Sequence, residues 1–176
     1  MADTTFNTTA GQTIARESLI LYLNTGSANS PTWSALGTRV EDSSMEFDWS
    51  DESNQDILGN VHSSMRKPII TQSFDPAKLD SADSAYVKIW NLAVHDQDPQ
   101  SLCNMDLLLV HYYAGTAATP FAERYASCMV KPTSLGGEGG GDIEMPFEVT
   151  FGGTRTIGTA AKNASGVVTF TAASSN

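Results

Sequence analysis

The alternation of apolar and polar positions predicts a chain built mostly of short strands. Ser18-Leu-Ile-Leu-Tyr-Leu-Asn24 reads as the first strand, stopped by Thr25-Gly26-Ser27, and residues 33–40 hold room for a short second one. Met45, Phe47 and Trp49 alternate strictly with Glu46 and Asp48, which predicts an apolar face turned to a core and an acidic face turned away. Residues 66–74 form the next strand, with Pro68 marking an edge or a bend. Residues 105–113 carry a continuous apolar centre, the pattern of a strand covered on both faces. Residues 124–131 and 155–159 add two more strands. Between them Ile143, Met145, Phe147, Val149 and Phe151 alternate with Glu144, Glu148 and Thr150. Gly152-Gly153 reads as a turn.

One segment breaks the two-residue period. Tyr86, Ile89, Trp90 and Ala93 fall at helical spacing, with Asp80, Ser81 or Asp83 available as an N-cap, so a helix is expected over 81–95. Residues 50–64 are polar around Gly59 and read as a long loop or a loose hairpin about Ile57, Leu58 and Val61. Residues 135–142 hold five glycines around Glu138, a flexible loop or wide hairpin tip. Residues 1–17 and 159–176 are small and polar and read as arms, although Val167-Val-Thr-Phe170 has the pattern of a strand able to join another sheet. The expected organisation is an N-terminal arm (1–17), a domain over 18–158 and a C-terminal arm (159–176). The expected fold is mainly β, an antiparallel β-sandwich or partly closed barrel with one flanking α-helix.

Composition narrows the chemistry. The chain has 176 residues and a formal charge of −10, which argues against gripping nucleic acid by phosphate neutralisation. No apolar run approaches the length of a membrane span, and residues 1–17 lack the layout of a signal peptide. Two cysteines, Cys103 and Cys128, cannot make a disulfide framework and are expected as free thiols. His62, His95 and His111 show no metal-ligand spacing. There is no G-x-S-x-G elbow, and nothing activates Cys128 even if His111 lies on a neighbouring strand. The Asp48–Asp56 stretch has the composition of a calcium loop without its order, and 136–141 lacks the ending of a phosphate loop. No catalytic, metal or cofactor site is therefore expected. What stands out instead is charge placement. Residues 41–65 carry seven acids (Glu41, Asp42, Glu46, Asp48, Asp51, Glu52, Asp56) and no Lys or Arg. Segments with so little core material order by packing on something else, such as another copy.

These features together resemble the major tail tube proteins of long, non-contractile (siphovirus-like) phage tails. The resemblance covers residues 10–158. It rests on the first strand followed by a Trp-containing segment ending in Arg39-Val-Glu-Asp-Ser, and on the long loop with Gln55-Asp-Ile-Leu-Gly-Asn-Val61. It rests also on Lys67-Pro-Ile-Ile-Thr-Gln-Ser-Phe-Asp-Pro76 leading into the helix. The resemblance implies a non-enzymatic structural subunit without cofactor. Its copies would form hexameric rings, stacked into a hollow tube with an acidic lumen through which DNA passes without specific binding. It implies the virion tail as location, assembly in the host bacterial cytoplasm, and a tape measure protein, a tail terminator and distal tail or baseplate proteins as partners. Glu46, Asp48, Glu144 and Glu148 are then expected to face the lumen. Arg39, Asp51, Glu52, Asp56, Arg66 and Lys67 are expected at contacts between rings. Two other readings predict different behaviour: a tube protein of a contractile injection system or bacteriocin, and a soluble β-sandwich binding module.

Overall fold

The computed structural model describes residues 4–174. Twelve strands and two short helices follow one another in it. They are β1 (Leu19–Asn24), β2 (Trp33–Ala35), β3 (Val40–Asp42), β4 (Met45–Asp48), β5 (Glu52–Gln55), β6 (Val61–Ser64) and β7 (Ile69–Ala77), then α1 (Ser84–Trp90) and α2 (Pro99–Leu102). The chain ends with β8 (Met105–Gly115), β9 (Pro120–Pro132), β10 (Phe147–Thr150), β11 (Arg155–Lys162) and β12 (Val168–Ala172). All strand pairs are antiparallel. The main sheet runs β2-β1-β8-β9-β10-β7-β3, with β11 and β12 branching from β9 and β4 pairing with β7. It curls on itself into a half-barrel, the mainly β fold that the strand pattern predicts.

The thirteen-residue β9 makes this curl possible. Its first half pairs with β8 and β11, its second half with β10. β10 and β11 lie end to end along the same edge of β9, and the register advances by one residue between them. The expected turn at Gly152-Gly153 is thus a bulge in that edge. A Cβ at Gly152 would lie 2.6 Å from the Ser127 carbonyl oxygen. One at Gly153, which has φ +68°, would lie 2.9 Å from the Ser127 nitrogen. Only glycine lets the chain press this closely on β9.

The core lies inside the curl. Leu21 and Leu23, Leu107 and Leu109, Tyr125 and Val130, Phe147 and Val149, and Phe74 converge from five strands, and α1 adds Ala85, Tyr86 and Ile89. Phe74 stacks on Phe147 with ring centroids 4.6 Å apart, and Tyr86 meets Phe147 edge-on. The helix starts where Asp83 accepts hydrogen bonds from the amides of Ala85 and Tyr86. It continues as a π-helical turn over Asn91–His95. A second short helix, capped by Asp98 with Pro99 at its start, follows just past the expected helix end at residue 95.

The strand over 105–113 is covered on both faces, as its continuous apolar run predicts. Leu108 and Val110 belong to a second cluster with Tyr22, Trp33, Ala122, Ala160 and Val168. That cluster corrects the expectation of a C-terminal arm over 159–176. Residues up to Ala172 instead form the β11–β12 hairpin, because Ala160, Val168 and Phe170 cover the outer face of β8 and β9. The expected N-terminal arm runs exposed over residues 4–15 but is tied to the end of β8. The Asn7 amide donates to the Tyr113 carbonyl, the Gly115 amide to the Thr5 carbonyl, and Phe6 packs edge-on against Tyr113. Residues 1–3 and 175–176, the ends of the two expected arms, lie outside the described residues.

Candidate assembly interface

The loop expected over 50–64 is a two-stranded hairpin, β5–β6, that stands apart from the main sheet. Every residue of both strands is exposed. Its order comes from its turn. The Asp56 carboxylate accepts from the Leu58 and Asn60 amides, the Asn60 side chain and His62 Nε2. Those bonds hold its pKa down at about 2. Asp56, expected between rings, is occupied within its own turn. The turn also lifts Ile57 and Leu58 into solvent, 102% and 81% exposed. Such an aliphatic pair, buried against nothing, is the strongest unspent hydrophobic feature of the surface.

At the root of the hairpin, the expected core face of β4 holds only in part. Met45 packs against the core, whereas Phe47 and Trp49 are about half exposed and stack on each other 6.4 Å apart. β4 pairs with β7 alone. Ile143, also expected inside, is exposed, while Met145, Phe147, Val149 and Phe151 are buried as the alternation predicts.

The four acids expected along a lumen divide. Glu46 and Asp48 stand opposite Thr71 and Ile69, and Glu148 opposite Ser73, so all three share the face of the β4-β7-β10 sheet turned from the core. Glu148 is partly neutralised by Lys131, 2.8 Å away across the ladder. Glu46 and Asp48 have no cation partner among the described residues. Glu144 sits before β10, its backbone bridged to Gly136 of the glycine-rich loop and to Lys78 just after β7.

The six residues expected between rings divide as well. Arg39 pairs with Asp80 at 3.0 Å within its own chain. Asp51, Glu52, Arg66 and Lys67 are exposed around the hairpin and make no ion pair among the described residues. The Arg66 amide donates to the Trp49 carbonyl, which closes the hairpin root.

Sequence reading missed a buried polar group. Glu123, 8% exposed, pairs with Arg155 and accepts from the Tyr125 hydroxyl 2.8 Å away. Burial pushes the Tyr125 phenol upward, and the Glu123 carboxylate adds to it. The only signal in the sequence was an isolated Glu within an apolar strand.

The catalytic pairing that could have used Cys128 fails on geometry. Cys128 stands opposite Met105 and His111 opposite Phe121, six positions along β8. Burial raises the Cys128 thiol to about 11 and pushes His111 downward.

Two clefts open the surface. One of about 970 Å³ runs between β1 and β4, where Arg16 crosses to the Ser43 carbonyl, and it is lined by Leu19, Phe47, Gln72 and Tyr113. The other, about 620 Å³, lies between α2 and the second half of β9. No helix among the described residues is long and apolar enough to cross a membrane.

No family model and no curated protein matches the chain. Solved structures do share its fold. One is the cap that terminates the tube of the anti-feeding prophage, with 12% identity and TM-score 0.51 over 88% of this chain and 96% of that one. Another is the sheath/tube terminator of an extracellular contractile injection system, PVC, in its extended state. It has 8% identity and TM-score 0.51 over 85% of this chain and 99% of that one. The half-barrel with its flanking helix is thus a fold also found in proteins that end injection tubes.

Proposed function

We propose that this chain is a structural subunit of a phage-type tail tube, assembling as stacked hexameric rings around a hollow channel that DNA traverses. The observation that carries the reading is the fold shared with tube-terminating proteins over nearly the whole of both chains. The hairpin supports it: an element that buries nothing in its own chain needs a neighbour to repay its ordering. Glu46 and Asp48 are the acids placed toward the lumen, where an unneutralised carboxylate repels DNA and keeps it sliding. Asp51, Glu52, Arg66 and Lys67 are the charges placed between rings, where their value is in register more than affinity.

A second reading has its own support, since the two structures named above are terminators: one ring that caps a tube in a contractile injection system. Negative-stain electron microscopy of the concentrated protein separates the two. Hollow tubes of indefinite length support the tube subunit, and discrete rings that never elongate support the cap. Particles that stay monomeric at every concentration count against both.

A further inference from the structure

The hairpin and the smaller cleft lie toward opposite ends of one sheet. The hairpin leaves the sheet where Asp48 stands opposite Ile69, at the start of β7. The cleft lies toward the other end of β7: Met145, which lines it, donates its amide to the Ala77 carbonyl, and Phe147 stands opposite both Phe74 and the lining residue Pro132. Eight residue rises separate Ile69 from Ala77, roughly 26 Å. The cleft is apolar, lined by Val94, Leu102, Cys103, Met129, Leu135 and Met145, and its 620 Å³ is ample for two aliphatic side chains. Leu135 overhangs it, half exposed.

We propose that this cleft is the socket for Ile57 and Leu58 of a second copy. The inference rests on the tube-subunit reading and names the surfaces that join one copy to the next. Three features select this occupant. The hairpin tip presents two adjacent aliphatic side chains with no partner in their own chain. Arg66 and Lys67 at the hairpin root, and Glu138 and Glu144 beside the socket, are opposite charges that find no ion-pair partner among the described residues. And a knob at one end with a socket at the other makes a heterologous contact, which leaves a free knob and a free socket after every addition. Copies therefore add end to end instead of closing into a pair.

Cys103 lines the socket with an exposed thiol, while Cys128 is fully buried and does not compete. The full-length Leu58→Cys variant, concentrated and mildly oxidised, tests the contact by non-reducing electrophoresis. The expected result is a ladder rising past the dimer, lost in the Leu58→Cys/Cys103→Ser variant. A product that stops at the dimer, or a ladder that survives Cys103→Ser, overturns the socket. Hollow tubes seen by microscopy with both thiols still free also overturn it and leave the tube reading standing. Absence of both tubes and cross-links removes the two together. Leu135→Asp, at an exposed rim position, is expected to keep the wild-type melting temperature and lose end-to-end association. Unchanged association there counts against the socket.

Discussion

At the scale of single residues, the cations of this chain are largely engaged at home. Arg39, Lys78, Arg124, Lys131 and Arg155 pair with carboxylates, and Arg16 and Lys88 donate to backbone carbonyls. Arg124 also lies over the Trp33 ring and takes two hydrogen bonds to Asp106, whose carboxylate in turn accepts from Asn24. The Glu123–Arg155 pair is the one whose loss leaves a carboxylate in the protein interior. Arg155→Met is expected to destabilise the chain by about 2 kcal/mol, below the usual cost for a fully buried pair because the guanidinium reaches solvent. Urea unfolding measures it; an unchanged midpoint would show that Glu123 is solvated. Asp56 gives a pH prediction. Its folded pKa lies below the unfolded value, so its contribution to the turn is complete above about pH 4 and vanishes as pH falls through about 2. Protection factors of the Leu58 and Asn60 amides, each taken against the intrinsic exchange rate at the same pH, are expected to hold at pH 4 and to fall toward pH 2. Loss of protection already at pH 5 would contradict the assigned bonds.

At the scale of elements, the sequence was legible wherever one period held long enough to matter. The runs over 18–24, 105–113 and 143–151 carried their faces in plain alternation or continuity, Ile143 excepted, and the cap, Asp83, was one of three residues the sequence offered. The C-terminal hairpin was hidden because Ala160 and Gly158 are too small to register as apolar positions. Their smallness is what the packing requires: a Cβ at Gly158 would lie 2.1 Å from the Thr171 carbonyl oxygen. Gly158→Ala is therefore expected to cost about 1–3 kcal/mol and to loosen β12, read as faster amide exchange over Val168–Ala172. Phe47 and Trp49 misled for the opposite reason. They alternate as a core strand does, yet both stay about half exposed and join neither core cluster, and nothing local in a sequence reports whether a face is covered. Removal of residues 50–64 should leave the melting temperature within a few degrees of wild type, since none of them joins either core cluster. The same deletion is expected to abolish polymerisation. A shortened chain that still builds normal tubes would take the hairpin out of the assembly.

At the scale of the whole molecule, the charges decide which surface can face DNA. The formal −10 is concentrated where Glu41, Asp42, Glu46 and Asp48 lack cation partners among the described residues. Glu148 contributes less than its place in the strand suggested, because Lys131 answers it. Changing Glu46 and Asp48 to Lys is thus expected to leave tubes intact and to slow DNA ejection, read as reduced infectivity of assembled particles. Full infectivity would move the lumen to another face. The candidate lumen acids were legible from the strand period. Their unequal strength was not, because it depends on a ladder partner, Lys131, seventeen residues away in sequence.

The hairpin that buries nothing also sets the fate of a copy that finds no partner. Its backbone is covered by no core residue, and exposed chain of this kind is where proteases nick first. A free copy is therefore expected to be cut within the hairpin, and a copy whose hairpin is held by a neighbour to resist. The same ribbon that would join copies together would then mark the surplus ones for turnover.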